Sequence, residues 1–132
     1  MIEHPNVTII RKAIEALNAG DRSAFPNILA DDIVWHVPGN APGAGTYRGK
    51  AEVLGFLQHL AQNSETPLHV DLLHLLTGGD DHVVAIWRAH ATRKGWQYEG
   101  IAGYIFRMQD GHIVEARNLQ EDQEAIDRFW DA

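Results

Sequence analysis

Tyr104, Asn118 and His36 combine a usable chemistry with a position that gives it direction. Tyr104 alternates in phase with Ala102 and Phe106, so a strand there turns its ring and hydroxyl to the apolar side. Asn118 shares a face with Val114 and Ala116, and a buried amide left without a partner costs about 1–3 kcal/mol. On adjacent antiparallel strands the two side chains would converge on one ligand oxygen and polarise a carbonyl or hydroxyl. The same pattern also suits a core tyrosine and an amide that pins a strand end. His36 is the group near the first strand that can take a proton near neutral pH. Alternation sets it opposite Trp35 and Val37, which favours an outward position unless a bulge before Pro38 reverses it. Trp35 and Trp87 fall on inward phases, as an aromatic wall or as core.

Other chemistries find less support. With no cysteine, thiolate metal sites, disulfides and a Cys nucleophile are excluded together. The eight histidines are scattered, and His69, His74, His82, His90 and His112 form no H-x-H or H-x-x-x-H pair, so no metal site is expected. Ser23 and Ser64 have no neighbours suggesting a triad. Gly43, Gly45 and Gly49 do not fit a phosphate-cradling pattern. Glu121, Asp122, Glu124 and Asp127 read as a solvated tail rather than as ligands. A net charge of −7, with no basic run beyond Arg93-Lys94, argues against nucleic-acid partners. The opening Met1-Ile2-Glu3-His4-Pro5 lacks the features of a signal peptide, and no apolar stretch approaches the ~20 residues of a membrane helix. The expected location is the cytoplasm.

The elements that must position these groups follow from periodicity. Val7, Ile10, Ala13, Ile14 and Leu17 recur at helical spacing after Pro5, and Gly20 stops the helix. Asp21 would cap a second short helix carrying Phe25, Ile28 and Leu29, kept short by Pro26. Ile33 to Val37 reads as a strand, Pro38 through Gly45 as loop, and Lys50 to Gln62 as a third helix with Val53, Leu54, Leu57, Leu60 and Ala61 on one side. Strands dominate thereafter. Leu68, Val70 and Leu72 alternate until a bulge at Leu72-Leu73; Gly78 to Asp81 turns; Val83 to Thr92, Ala102 to Arg107 and Val114 to Asn118 follow. Arg93-Lys94-Gly95 and Asp110-Gly111 are the hairpin turns. Ala125, Ile126, Phe129 and Trp130 close the chain as a short amphipathic helix or a docking tail.

Helices first and hairpin-linked strands afterwards predict one α+β domain over residues 1–132: a cone-shaped, strongly curved antiparallel sheet with three N-terminal helices closing a pocket. Trp35, Val37, Leu57, Val70, Trp87, Ala89 and Ala102 are the expected walls of that apolar, ligand-binding space. The outward set Ile86, Arg88, His90, Ile101, Ile105 and Arg107 mixes apolar and charged groups as interfaces do, and predicts a homodimer through the outer sheet face.

Particular runs carry a family likeness. Ala16-Leu17-Asn18-Ala19-Gly20-Asp21, then Ala30 through Gly39, then Tyr47-Arg48-Gly49 before a helix, and Asp110 through Val114 followed by Asn118 and Asp122 resemble the nuclear transport factor 2-like superfamily. Within it the chain is most similar to the SnoaL-like group, related to polyketide cyclases and ketosteroid isomerase. The likeness covers nearly the whole chain but rests on structural motifs, so it specifies function poorly. It implies a homodimer, a cone-shaped pocket and no obligatory cofactor. It further implies that the isomerase's general base falls on Val37, which takes no proton, and that its first-helix tyrosine falls on Ala13. The isomerase's acid donor and the cyclases' histidine fall on Tyr104, which keeps a hydroxyl. The cyclases' aspartate falls on Asn118. The resulting expectation is a small-molecule-binding domain for an apolar, oxygenated substrate. Its activity would be of isomerase, cyclase, dehydratase or hydrolase type, using Tyr104, Asn118 and His36 or water. The other reading is a non-catalytic ligand-binding or scaffold dimer.

Overall fold

A computed structural model describes residues 3–21, 23–65 and 69–131 of the chain. Pro5 opens helix α1 (Pro5–Asn18), where its missing N–H forfeits no bond, and the His4 ring accepts from the Asn6 backbone N–H. Val7, Ile10, Ala13 and Ile14 are its buried stripe. Gly20, at φ +90°, lets the chain leave in a conformation that side chains disfavour. Helix α2 (Ala24–Ile28) is a single turn. Asp21 accepts from both the backbone N–H and the hydroxyl of Ser23 instead of capping the helix itself. Leu29, expected in that helix, begins strand β1 (Leu29–Val37) and is buried opposite Ile113.

Strand β2 (Gly45–Arg48) lies where sequence periodicity shows only loop and the run into a helix. Four residues are too few for an alternation signal, and the strand exists through its pairing, Trp35 to Tyr47. Helix α3 (Lys50–Asn63) buries Val53 and Phe56, with Leu54, Leu57 and Leu60 half-buried beside them. Then come β3 (His69–Gly78), β4 (His82–Arg93), β5 (Trp96–Gln109), β6 (His112–Gln120) and a fourth helix, α4 (Gln123–Asp131). The β3–β4 register shifts between Leu72 and His74, where the alternation breaks. Leu68 lies outside the described residues. Lys94-Gly95 and Asp110-Gly111 are two-residue turns with positive φ at all four positions, the geometry that matches strand twist.

The sheet order is β2-β1-β6-β5-β4-β3. Neighbours are antiparallel except β1 and β6, which run parallel. The curved, unclosed sheet keeps one side for the helices. On that side Trp35, Val83, Ala85, Trp87, Ala102, Phe106 and Ala116 form a buried core with Ile10, Ile14, Val53 and Phe56. Asn18, at the end of α1, ties the helix to β3 through both halves of its amide. Its Nδ2 donates to the Val70 carbonyl (2.7 Å) and its Oδ1 accepts from the Val70 N–H (3.0 Å). Helix α4 packs Phe129 against Tyr98, with ring centroids 5.7 Å apart. Asp127 accepts from the Asn40 N–H, and Arg93 donates to the Phe129 carbonyl. The C-terminal segment is therefore a docked helix that spans from the loop after β1 to the β4–β5 hairpin.

Candidate functional site

β5 and β6 set Tyr104 directly opposite Asn118, on the side of the sheet that carries Trp35 and Phe106. The Tyr104 ring lies within an aromatic cluster, 4.9 Å from Trp35, 5.6 Å from Trp87 and 5.4 Å from Phe106, centroid to centroid. The ring keeps some exposure while its hydroxyl end is deeply surrounded. Burial pushes the hydroxyl's pKa up to about 12, against smaller opposing effects from the Trp35 indole and the Asn118 amide. The Trp35 N–H is buried and makes no hydrogen bond of good geometry. It still lies near enough to the Tyr104 oxygen to favour the ionised form. A neutral tyrosine hydroxyl keeps a proton that it can donate.

The Asn118 amide is held by its neighbours. Its Nδ2 donates to the Gly103 carbonyl (3.3 Å), and its Oδ1 accepts from Gln120 Nε2 (2.9 Å). Gln120, opposite Ala102, thereby joins the site. Its own carbonyl oxygen is buried and has no partner among the described residues. Sequence reasoning stopped at Asn118 and missed Gln120, although the same period of two points to it.

His36 does not join this group. β1 keeps its alternation to Val37, so the imidazole stands on the opposite face of the sheet. There its Nε2 lies 2.9 Å from Glu115 and its Nδ1 3.4 Å from the Thr46 hydroxyl. No bulge precedes Pro38 to turn it inward; the β1–β6 register shift falls earlier, between Leu29 and Val34. This corrects the expectation that His36 serves beside Tyr104. Arg107 and Arg117 flank the same Glu115 carboxylate at 3.7 and 3.5 Å. The His36 bond is the largest of the effects that hold Glu115 below the usual glutamate pKa.

Of the expected pocket walls, Trp35, Trp87 and Ala102 are buried in the core, whereas Val37, Leu57, Val70 and Ala89 are half-buried against it. Open space lies at the strand ends. A cleft of about 360 Å³ is lined by Val37, Pro38, Gly45 and Asn118, with His36 and Arg117 on its outer wall. A polar cleft of about 370 Å³ lies elsewhere, between Asp31, Asp32, Lys50 and Asp110, and shares no residue with the Tyr104 group.

Strand register also gathers residues that the sequence keeps apart. His69 and His90 face each other across β3 and β4, and Asp71 accepts from both, at 3.0 and 2.9 Å. Among the described residues, no group of three His, Asp or Glu side chains is arranged to hold a metal ion. Nor is any helix among the described residues long and apolar enough to cross a membrane.

Fold and site together define an α+β domain of the small-molecule-binding kind: a curved sheet with helices on one side and an aromatic interior carrying a few directed polar groups. The match to known proteins is more specific. Residues 10–116 fit the SnoaL-like domain, and the chain belongs to that family. The uncharacterised protein Rv0034 of Mycobacterium tuberculosis is 25% identical over 130 residues, covering 98% of this chain and 99% of that one. A protein of unknown function with a cystatin-like fold from Xanthomonas campestris superposes with a TM-score of 0.89 at 28% identity, covering 96% of this chain and 98% of that one. An NTF2-like protein of unknown function from Burkholderia pseudomallei gives 0.84 at 20% identity, with 98% and 100% covered, and shows the fold alone.

Proposed function

We propose that the chain, as one SnoaL-like domain over residues 1–132, binds a compact, mainly apolar molecule that carries an oxygen, and that Tyr104 donates a hydrogen bond to that oxygen. The observation that carries this reading is the state of the Tyr104 hydroxyl. It is neutral far above physiological pH, and its ring is packed among those of Trp35, Trp87 and Phe106. A donor fixed in apolar surroundings is worth more than one in water, both for holding a carbonyl and for stabilising charge that develops on it. Asn118 acts as the positioning residue for Tyr104, since its own amide is committed to Gly103 and Gln120. Trp35, Trp87 and Ala102 supply the apolar floor; Val37, Leu57, Val70 and Ala89 supply the rim.

An isomerase, cyclase, dehydratase or hydrolase needs a proton acceptor as well as a donor. Among the described residues, no carboxylate or imidazole is among the groups acting on the Tyr104 hydroxyl. His36 reaches only the outer wall of the cleft that Asn118 lines. This favours ligand binding, with catalysis as the second reading, in which a water moves the proton. The binding reading needs no cofactor, metal, nucleic acid or membrane, and it is drawn for a cytoplasmic homodimer. The test is a ligand-observed NMR screen of small ketones and lactones on the full chain, repeated on Tyr104→Phe. Loss of one hydrogen bond, about 0.5–1.5 kcal/mol, predicts a ~2- to 13-fold weaker Kd. Equal affinity in both proteins removes Tyr104 from the site. Conversion of any probe that depends on Tyr104 would establish the catalytic reading.

A further inference from the structure

The polarity of the amide chain beside Tyr104 is dictated by one backbone atom. The Gly103 carbonyl can only accept, so the Asn118 amide must present its NH2 group there. That leaves Asn118 Oδ1 facing Gln120, which must present its own NH2 group in turn. Flipping either amide would set two oxygens against each other, so the orientations are fixed by chemistry. The chain therefore ends on the Gln120 carbonyl oxygen, which is buried and has no partner among the described residues. Buried acceptors are almost always satisfied, and one left open is costly. Gln120 stands one in-phase step along β6 from Asn118, about 7 Å by strand rise, and opposite the small side chain of Ala102. A donor, Tyr104, and an open acceptor, Gln120, thus share one face about one strand repeat apart.

We propose that the ligand of this site carries a hydroxyl or N–H that the Gln120 side-chain oxygen accepts, in addition to the oxygen that meets Tyr104. The inference rests on the Tyr104 reading above and deepens it. The substrate class narrows from apolar oxygenated molecules to compact hydroxy- or amino-carbonyl compounds, whose two polar groups lie several ångströms apart. A ligand with only a carbonyl leaves the Gln120 oxygen unpaired and forgoes that bond.

The experiment titrates the full chain with α-tetralone, its ring-hydroxylated isomers and their methyl ethers. At least one hydroxy isomer is expected to bind ~2- to 13-fold more tightly than α-tetralone, the range for one hydrogen bond. Its methyl ether, which cannot donate, should lose that advantage. In Gln120→Met the ratio between hydroxylated and parent ketone should fall to one. In Tyr104→Phe all tetralones should weaken together while the ratio persists. The wild-type series decides the matter even where the Gln120 variant fails to fold. Hydroxy isomers that bind no better than the parent, with Tyr104 dependence intact, overturn the role of Gln120 and leave the Tyr104 site standing. Tetralones that bind without dependence on Tyr104, or that fail to bind at millimolar concentration, overturn both.

Discussion

His36 and Glu115 meet across the parallel pairing of β1 and β6, with Nε2 2.9 Å from the carboxylate, on the side of the sheet turned away from Tyr104. The bond makes the imidazole a structural partner on the outer face. It also gives the fold a specific dependence on pH.

Glu115 is held below the ordinary glutamate pKa, chiefly by His36. A carboxylate with a depressed folded pKa adds stability above its unfolded value, about 4.3, and loses it as pH falls through the lower folded value. Thermal unfolding of the wild type and Glu115→Gln should therefore differ most near neutral pH, with the wild type more stable. The gap should close on acidification below pH ~4. A gap that stays constant down to acid pH would mean the ionised carboxylate contributes nothing.

Tyr104 has the opposite sign. Its folded pKa of about 12 exceeds the ordinary tyrosine value, so its contribution is complete below pH ~10 and is lost as pH rises toward 12. The ultraviolet titration difference between wild type and Tyr104→Phe should show one tyrosinate appearing near pH 12. Ionisation near pH 10 in the folded protein would show a solvated hydroxyl.

Legibility from sequence divides between local and distant causes. The Asp110-Gly111 turn, the break in β3 at Leu72-Leu73 and the helix stop at Gly20 are local, set by residues whose backbone preferences act over a few positions, and all appear in the structure. Tyr104 and Asn118 were legible because alternation on two hairpin-linked strands implies a shared face. Strand β2, the parallel seating of β1 on β6, and the His69–Asp71–His90 group arise from pairings between distant segments that periodicity does not encode. Gln120 was hidden differently. Its importance lies in an oxygen left open by a fixed chain of amides, and residue type alone does not show that.

The outer sheet face bears on assembly. Ile86, Arg88 and His90 on β4 share that face with Ile101, Ile105 and Arg107 on β5. Sedimentation at micromolar concentration is expected to give about twice the 14.7 kDa chain mass. Paired Ile101→Glu and Ile105→Glu changes should return the monomer, because like charges on a self-complementary face repel across the two-fold axis. A wild type that sediments as a monomer would sink the homodimer.

Gly103 and Gly55 should respond oppositely to alanine. A methyl at Gly103 would collide with the Ala85 carbonyl oxygen and come within 3.0 Å of Ile86 Cδ1, whereas one at Gly55 meets nothing within 4 Å. Gly103→Ala is expected to cost about 1–3 kcal/mol by overpacking. Gly55→Ala, inside α3, should gain about 0.5–1 kcal/mol from helix propensity. Urea unfolding curves for the two variants test the pair. The Gly103 variant should also weaken ligand affinity, since its carbonyl anchors Asn118.

The parallel seam between β1 and β6 dictates when the protein can become itself on the ribosome. Trp35 is made 81 positions before its sheet neighbour Ala116. Until β6 leaves the exit tunnel, β1 has only the four-residue β2 beside it, and its buried tryptophan has no complete wall to pack against. The hairpins β3–β4 and β4–β5 pair by short loops and can settle first. The N-terminal third must wait, unpaired on one edge, for the last strand to be translated. A nascent chain stalled before β6 should thus expose the β1 edge to chaperones or to neighbouring chains, and emergence of β6 should withdraw it.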